Sequence, residues 1–481
     1  MNIVRLNFSH GTHEYHGGVI ANVRESFKTM PGRPVAIALD TKGPEIRTGL
    51  MQDNGFDFKT GHKMIFSTDP KFKDSGNAKV IYVDYPRLTK VTAPGKSIFI
   101  DDGTLRFQVI RIIDADKEFG DCVEVEALVN GTLLSKKGVN LPHTDVDLPA
   151  VSEKDKLDLK FGAEQGVDMV FASFIRSAKD IDTIRDLMGP KGHDGTIKII
   201  AKIENHQGLD NFDAILQAAD GIMVARGDLG TEIPPWKVFI AQKSMISKCN
   251  IAGKTVIVAT QMLQSMTDCP KPTRAEASDV ANAVLDGADC VMLSAETASG
   301  KYPVESIDMM AQICVEAEAI QTHTPFFNEL KSLTPKPLKT TETVAVAAVN
   351  ASLEESAKVI LVLSTSGESA RLLAKYRPKA TILVVTRSAS LSRSIHLSKG
   401  CLPMYYAKKR DDSLELTSPS TPLGKKTAET AAWQIDVDER IEHGVQKALE
   451  MGLLEKGDPI VCVQGWRSGA GTTNSLRIMN A

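Results

Sequence analysis

The sequence predicts an α/β protein: a parallel (β/α)8 barrel with a small all-β domain inserted in it, followed by an open α/β sheet domain. The main observation is a repeat of short apolar runs that end at polar residues, with helix-like segments between them. After residue 147 the runs end near Ser173, Lys202, Arg226, Thr260 and Ser294, at intervals of 24 to 34 residues. Such an interval holds one strand, one helix and their loops, which is the repeat of a (β/α)8 barrel.

Two of these runs carry the most chemistry. Ile199 to Ala201 and Ile222 to Ala225 are short and apolar, which predicts buried parallel strands, and Leu209 to Ala219 between them is helix-like. Glu204 and Asp228 each stand three residues after the end of one of the two runs. Because active sites of α/β proteins lie at the carboxyl ends of the strands, we expect both carboxylates on that rim.

Lys202 stands two residues before Glu204. Two carboxylates on one rim suit a hard divalent cation that keeps positions open for substrate and water. Lys202 would then face an oxyanion bound to the metal. The alternative is a structural salt bridge of Lys202 with Glu204 or Asp228, which is the usual role of such charges.

Composition narrows the class of protein. The chain has 481 residues, 42% of them apolar, which indicates a globular protein of about three domains. A net charge of −3 gives no basic face for nucleic acid and no polybasic membrane signal. The seven cysteines are odd in number and lack a C-x-x-C pair, as expected of reduced thiols. With no apolar run of about 20 residues and no apolar leader, we expect a cytoplasmic protein.

The pattern of apolar and polar residues changes three times along the chain. Short alternating runs with turn signals, such as Ser97 to Gly103, replace the strand–helix rhythm between the first and second barrel segments. Helix-like Val344 to Leu353 and the strand Val359 to Leu363 begin a third domain, in which the polar stretch Lys408 to Gln434 is expected to be a mobile loop. The predicted segments are a first barrel part (1–44), an inserted β domain (45–147), a second barrel part (148–321) and a C-terminal α/β domain (322–481).

The count of barrel strands is one short. Two strands precede the insertion, one ending at Ser9 and one running from Val35 to Leu39, and five follow it. A closed barrel of this type needs eight strands. We therefore expect the first strand and its helix to lie upstream of Met1.

Seven long motifs together resemble the pyruvate kinase family, and the resemblance spans essentially the whole chain. The motifs are R-L-N-F-S-H-G (5–11), D-T-K-G-P-E-I-R-T-G (40–49), S-K-K-G-V-N-L-P (135–142), A-K-I-E-N (201–205), M-V-A-R-G-D-L-G (223–230), A-T-Q-M-L (259–263) and P-T-R-A-E-A-S-D-V-A-N-A-V (272–284).

The resemblance implies that Glu204 and Asp228 hold Mg²⁺ or Mn²⁺, which bridges phosphoenolpyruvate. Arg5 and Lys202 would stabilise the phosphoryl group in transfer, because this chemistry depends on positioning and electrostatics. The alternative for Arg5 is a surface ion pair.

The resemblance also implies contacts with the rest of the substrate. Thr260 would lie beside the carbon that is protonated to form pyruvate, and an alcohol there orders a water relay rather than acting as the acid. Backbone amides around Gly227 and Asp228 would take the substrate carboxylate. Ser173 either faces the substrate or is a simple strand-end hydroxyl.

Four residues match the family's monovalent cation site: Asn7, Ser9, Asp40 and Thr41. Glu45 matches the glutamate of potassium-dependent members, which implies K⁺. Without the resemblance, these side chains would be interpreted as turn formers and a helix cap.

His10, Arg47 and Lys137 match positions that contact the nucleotide, with Lys137 reaching ADP from the inserted domain. That domain would be a lid that excludes water from the phosphoryl group. The alternative for Lys137 is an ordinary solvated lysine.

The motif S-T-S-G-E-S after a strand of the third domain is typical of a phosphate cradle. The resemblance implies a sugar-bisphosphate effector site. Glu368 departs from the neutral or basic residue of relatives, and its carboxylate would repel phosphate. The implied effector residues are Ser364, Thr365, Ser366, Gly367, Ser369, Trp466 and Arg467.

The function predicted from the resemblance is transfer of the phosphoryl group of phosphoenolpyruvate to ADP, giving pyruvate and ATP, in a homotetramer. Two rivals stay open. In a metal-dependent barrel lyase or aldolase, Lys202 would form a Schiff base or the metal would hold an enolate. In the other, a truncated chain would bind ligands without efficient catalysis.

Overall fold

The structure is a computed structural model that describes residues 1–29, 33–101, 103–409, 422–466 and 471–481, without the side chains of residues 54 and 422–432. The chain begins with β1 (Ile3–Asn7), α1 (His13–Thr29) and β2 (Ala36–Asp40). β1 and β2 pair in parallel and place Asn7 opposite Asp40.

Nine strands and one short helix come next. They are β3 (Ile46–Arg47), β4 (Gly55–Phe58), β5 (Lys63–Ser67), β6 (Val80–Tyr82), α2 (Leu88–Val91), β7 (Ser97–Ile100), β8 (Leu105–Asp116), β9 (Gly120–Ala127), β10 (Gly131–Leu134) and β11 (Gly138–Asn140). They form a seven-stranded and a two-stranded sheet around their own apolar core, which includes Phe66, Phe107 and Val125.

The strand–helix alternation then resumes. Its elements are α3 (Glu153–Gln165), β12 (Met169–Ala172), α4 (Ala178–Leu187), α5 (Pro190–His193), β13 (Lys198–Ile203), α6 (His206–Asp210), α7 (Phe212–Ala218), β14 (Gly221–Ala225), α8 (Arg226–Glu232), α9 (Val238–Ala252), β15 (Thr255–Ala259), α10 (Arg274–Leu285), β16 (Cys290–Met292), α11 (Ala295–Ala298) and α12 (Pro303–Ala319).

The barrel strands form one curled parallel sheet in the order β1-β2-β12-β13-β14-β15-β16. The count of seven strands is therefore confirmed for the described residues. No ladder joins β1 to β16 in the described part of the chain, so each forms an edge of the sheet. The expectation of a further strand and helix upstream of Met1 stays a prediction.

Two apolar layers hold this sheet. The outer layer packs between the strands and the surrounding helices and includes Leu39, Ile199 and Val258. The inner layer is smaller and combines alanines such as Ala36 and Ala38 with larger side chains such as Phe171 and Met223. Leu397, which belongs to the third domain, is part of the inner layer and is 5% exposed. The third domain thus contributes to the packing of the barrel interior.

The third domain contains α13 (His323–Leu333), α14 (Thr340–Glu354), β17 (Val359–Leu363), α15 (Glu368–Lys375), β18 (Thr381–Thr386), α16 (Ala389–Ser394), β19 (Cys401–Tyr405), α17 (Pro422–Glu450), β20 (Pro459–Gly465) and β21 (Thr473–Asn480). Its sheet has the order β19-β18-β17-β20-β21, parallel except for the antiparallel pair β20–β21. Apolar clusters cover both faces, as an open α/β sheet requires.

The loop expected over Lys408 to Gln434 is wrong from Pro422 onward, where α17 begins. The prediction relied on the polar composition of the whole stretch. Its second half is rich in Ala, Lys and Glu, which favour helix, and it has Pro at the first helical position. Residues 410–421 lie outside the described part of the chain. In that part, no helix is long and apolar enough to cross a membrane.

Candidate active site

Asp40 is the centre of a charged cluster at the carboxyl ends of the barrel strands. It ends β2 and is fully buried. Its Oδ2 accepts a hydrogen bond from Arg5 Nε at 2.5 Å, and its Oδ1 lies 3.1 Å from Lys202 Nζ. Burial opposes ionisation of Asp40, but the charges of Lys202 and Arg5 outweigh it and lower the pKa of the carboxyl. Asp40 is therefore an anion that orients two cations.

Lys202 lies in β13, is 8% exposed and is held by three partners. Its ammonium contacts Asp40, Glu204 Oε1 at 3.0 Å and Ser173 Oγ at 2.7 Å. Burial works to lower the pKa of Lys202, but Asp40 and Glu204 raise it above the ordinary value. The ammonium is thus permanently charged and fixed in direction. The salt bridge of Lys202 with Glu204, considered above as a structural alternative, is present, and it also aligns the lysine on the rim.

Ser173 follows β12 and forms hydrogen bonds to Thr41, which follows β2, and to Lys202 in β13. Its hydroxyl donates to Thr41 O at 2.6 Å, and its amide donates to Thr41 Oγ1 at 3.0 Å. Because it also contacts Lys202 and is only 3% exposed, Ser173 is a buried partner of the lysine. It is more than a solvated hydroxyl at a strand end.

Glu204 and Asp228 come from neighbouring strands, as expected. Glu204 directly follows β13, and Asp228 lies in α8, which directly follows β14. β13 and β14 pair in parallel. Glu204 is 1% exposed, and its Oε2 accepts a hydrogen bond from the Phe174 amide at 2.5 Å. The donor set consists of carboxylate oxygens on one rim, which fits a hard divalent cation with substrate completing its ligands.

In the described residues, no group of three or more His, Cys, Asp or Glu side chains is placed to hold a metal ion. A site with two protein carboxylates needs further ligands from substrate and water, as Mg²⁺ sites in phosphoryl-transfer enzymes commonly do. The absence of a larger cluster is thus compatible with such a site.

The four residues of the expected monovalent site lie at the ends of β1 and β2. Asn7 Oδ1 accepts a hydrogen bond from the Ser9 amide at 3.1 Å, which shapes the turn after β1. The Phe8 amide donates to Asp40 O at 2.9 Å and ties this turn to β2. Asn7, Ser9, Asp40 and Thr41 therefore present oxygen atoms from two adjacent turns, a donor set suited to K⁺. The turn-forming alternative weighed above is seen for the Asn7 side chain, whereas in the described structure the side chains of Asp40 and Thr41 contact Ser173 and do not cap a helix.

Thr260 follows β15 and has an unusual backbone, with φ of +70°. Its Oγ1 accepts a hydrogen bond from the Gly227 amide at 2.8 Å and donates to Ala259 O at 2.5 Å. Gly227 and Thr260, both expected at the substrate, are thus in direct contact across β14 and β15.

The three residues expected at the nucleotide lie apart from the buried cluster. Lys137 Nζ pairs with Asp101 at 2.9 Å, and Arg47 pairs with Glu45 at 2.5 Å. His10 is exposed. Lys137 and Arg47 come from the inserted β domain and its first strand, and the Thr48 amide donates to Lys137 O at 2.9 Å, which keeps them adjacent. Lys137 is thus paired rather than simply solvated.

The expected phosphate cradle lines a small cavity of about 30 Å³ in the third domain. Ser364, Thr365, Ser366 and Ser369 line it, and so does Glu368. Gly367 has φ of +88°, and a Cβ there would lie 2.6 Å from Leu391, so this position requires glycine. Trp466 is 55% exposed and does not line the cavity, and Arg467 lies outside the described residues.

Two residues that line this cavity were not predicted from the sequence, the aromatic Trp433 and the cationic Arg440. They stand seven residues apart in α17, which places them two turns apart on one helix face. The guanidinium of Arg440 lies 5.2 Å from the Trp433 ring centroid and 2.9 Å from Asp436. The i, i+7 spacing was a usable signal, but the interpretation of this stretch as a loop concealed it.

The chain is similar in sequence to known proteins over its whole length. Residues 1–307 match the family model "Pyruvate kinase, barrel domain", and residues 342–479 match "Pyruvate kinase, alpha/beta domain". The chain is 56% identical to a pyruvate kinase of Agaricus bisporus, over 100% of this chain and 86% of the relative. It is 52% identical to a pyruvate kinase of Kluyveromyces lactis (100% and 91%) and to pyruvate kinase 1 of Saccharomyces cerevisiae (99% and 91%).

Proposed function

The chain belongs to the pyruvate kinase family, and from this premise we propose how its residues divide the work of the reaction. Members of the family are phosphotransferases that move the phosphoryl group of phosphoenolpyruvate to ADP, and this is the function of the chain. The observation that carries the assignment of roles is the buried ammonium of Lys202, fixed between Asp40 and Glu204 at the carboxyl ends of the strands.

We propose that Lys202 and Arg5 stabilise the phosphoryl group in transfer. Negative charge spreads over its oxygens in the transition state, and cations that are already oriented stabilise this charge without reorganisation. Asp40 provides that orientation, since it binds both cations at 3.1 Å or less. Ser173 restrains Lys202 from the third side. We assign Arg5, Lys202 and Thr260 as catalytic residues and Ser173, Gly227 and Asp228 as further substrate contacts.

Family membership implies a divalent metal cofactor. We propose that Glu204 and Asp228 hold it and that it is Mg²⁺ or Mn²⁺. When bound, such an ion stabilises the enolate charge that develops as the phosphoryl group leaves. Lys202 already occupies one oxygen of Glu204, so this carboxylate is fixed in orientation toward the rim.

We further propose that Asn7, Ser9, Asp40 and Thr41 hold K⁺. Their turns approach the cluster of Arg5 and Asp40, so a cation there adds positive charge beside the phosphoryl position. Glu45, the residue that implies K⁺, is paired with Arg47 at 2.5 Å.

For the nucleotide, we propose that His10, Arg47 and Lys137 contact ADP and that residues 45–147 act as a lid. The pairing of Lys137 with Asp101 at 2.9 Å would then be exchanged for a phosphate when ADP binds. Closure would exclude water and so favour ADP over hydrolysis.

The cavity in the third domain is proposed as an effector site for a phosphorylated sugar. Arg440 supplies a positive charge, whereas Glu368 lines the same cavity and opposes a phosphate. We therefore propose weak binding of a sugar bisphosphate, which titration with fructose 1,6-bisphosphate measures directly. A homotetramer and a cytoplasmic location follow from the family by analogy and are proposals too.

The rival functions are not favoured. A Schiff-base lyase needs a neutral lysine amine as nucleophile. The pKa of Lys202 is raised by Asp40 and Glu204, so its amine stays protonated. A binding-only role has no support from the site, because the described rim retains the catalytic residues expected of the family.

Substitution of the two rim carboxylates tests the metal assignment. We expect Glu204→Gln and Asp228→Asn each to lower turnover at least about a hundredfold and to weaken Mn²⁺ binding measured by electron paramagnetic resonance. Asp213→Asn is the control, because Asp213 is exposed and pairs with Lys248 at 2.6 Å, away from the rim. Unchanged Mn²⁺ affinity in both rim variants would rule out the assignment.

A further inference from the structure

The turn that carries Thr260 is strained. Thr260 and Gln261 have φ of +70° and +55°, two consecutive non-glycine residues in the left-handed region. This region is unfavourable for L-residues and most of all for a β-branched one such as threonine. Such a conformation persists only where the surroundings enforce it.

The enforcing group is the side chain of Arg226. Its Nη2 and Nε donate to Thr260 O at 2.7 and 3.2 Å, and Nη2 also donates to Gln261 O at 3.2 Å. The guanidinium thus donates hydrogen bonds to both carbonyl groups of the strained turn. The next residue along the chain, Gly227, holds the Thr260 hydroxyl through its amide at 2.8 Å.

The guanidinium is itself fixed from another element. Asp279 in α10 places its two carboxylate oxygens 2.8 and 2.7 Å from Arg226 Nη1. Gln242 in α9 contacts the same nitrogen at 3.4 Å. The side chain of Arg226 is 12% exposed, so its charge depends on Asp279 for compensation.

We propose that Arg226 and Asp279 form a positioning pair that holds Thr260 in place for the proton transfer that completes pyruvate. This inference rests on the proposed role of Thr260. In that step a water molecule ordered by Thr260 gives a proton to C3 of the enolate: the O–H bond of the water breaks, the π electron pair of the C2–C3 double bond forms the new C–H bond, and a lone pair of the enolate oxygen becomes the second bond of the C2 carbonyl. Arg226 does not touch the reacting atoms. It fixes the backbone from which Thr260 projects, and a small displacement there costs rate steeply.

The test separates the proton step from phosphoryl transfer. Exchange of the pyruvate methyl hydrogens for deuterium, followed by proton NMR with Mg²⁺, K⁺ and ATP present, reports the reverse of the proton step alone. We expect Arg226→Lys and Asp279→Asn to lower the rate of this exchange ten- to a hundredfold. The fold-change in the KM for ADP should be smaller than this loss of rate. Asp286→Asn is the control, since Asp286 caps the same helix and pairs with exposed Lys243.

Each other outcome decides the matter. If the variants exchange deuterium at the rate of the unsubstituted protein, or if both fail to fold as judged by thermal melting, the pair is structural and the inference is wrong. If the unsubstituted protein forms ATP from phosphoenolpyruvate but the variants lose ADP affinity instead, the inference is also wrong while the proposed function stands. Absence of both ATP formation and exchange in the unsubstituted protein would overturn the proposed function itself.

Discussion

Single residues at the rim act through charges that other residues hold in place. Asp40 shows this most clearly: it is fully buried, and it pairs with both Arg5 and Lys202. Its partners lower its pKa, so their stabilising contribution is present above the ordinary pKa of an aspartate and is lost as pH falls through the lower value. The cluster therefore stays fully ionised across the neutral range.

A prediction at this scale concerns the monovalent cation. Glu45→Lys replaces the glutamate of potassium-dependent relatives with an ammonium that we expect to substitute for K⁺, and it also breaks the pair with Arg47. We expect the variant to become largely independent of K⁺, measured as the rate of pyruvate formation with K⁺ or with tetramethylammonium as the only monovalent cation. Glu25→Lys, at an exposed pair with Lys28, is the control. A full K⁺ requirement in Glu45→Lys would contradict the assignment.

Some residue positions at the rim could be predicted from the sequence, but the contacts between distant residues could not. The placement of Lys202, Glu204 and Asp228 near the carboxyl ends of β13 and β14 could be predicted, because each stands just after an apolar run. The pairing of Arg5 with Asp40 could not, because it depends on β1 and β2 lying side by side with Asn7 opposite Asp40. The grip of Arg226 on the turn at Thr260 was missed for the same reason, since 34 residues separate the partners.

At the scale of elements, strands were predicted well where apolar residues ran uninterrupted, as in β13, β14 and β17. β19 was not predicted because Pro403 stands within it. Proline removes a backbone donor, which a sheet accepts at its edge, and β19 is an edge strand. The start of α17 was lost because polar composition was taken as a sign of a loop.

A second prediction concerns the contact between the barrel and the inserted strands. His206, at the start of α6, lies 3.1 Å from Asp145 and 3.7 Å from Glu232, and Glu232 also accepts a hydrogen bond from Asn140 in β11. Glu232, together with Asp145 and against the effect of burial, raises the pKa of His206.

Because this pKa is raised, the stability that protonated His206 provides is fully present below the ordinary pKa of about 6.5 and is lost as pH rises through the higher folded value. We expect His206→Gln to lower the thermal midpoint more at pH 5.5 than at pH 9. His193→Gln, at an exposed pair with Asp186, should have a small effect at both values. An equal loss at both values in His206→Gln would show that the charge is unimportant.

At the scale of the whole molecule, the third domain forms ion pairs and hydrogen bonds with the barrel at the amino ends of the barrel strands. Arg377 lies 2.5 Å from Asp289 and donates to Asn250 Oδ1 and Gly287 O at 2.7 and 2.8 Å. Arg393 pairs with Asp168 at 2.8 Å. With Leu397 in the inner apolar layer, these contacts make the domain part of the barrel's support.

The third prediction follows from the Arg377 contact. Both side chains are at most 7% exposed, so Arg377→Met leaves a buried carboxylate without its cation. Breaking such a pair costs about 3–5 kcal/mol of unfolding free energy. Lys358→Met removes a half-exposed partner of Asp458 and should cost at most about 1 kcal/mol. Urea denaturation of both variants measures the difference, and equal midpoints would contradict the account.

The most direct test of the central claim is to follow phosphoenolpyruvate and ADP by phosphorus NMR with Mg²⁺ and K⁺ present. We expect the phosphoenolpyruvate signal to be replaced by an equal γ-phosphate signal of ATP. We also expect Lys202→Met to slow this transfer by about a hundredfold to a thousandfold, as loss of one transition-state contact does. Lys198→Met, at the other end of β13, should retain the rate. Release of inorganic phosphate in place of ATP, or a Lys202→Met variant that keeps most of the rate, would contradict the account.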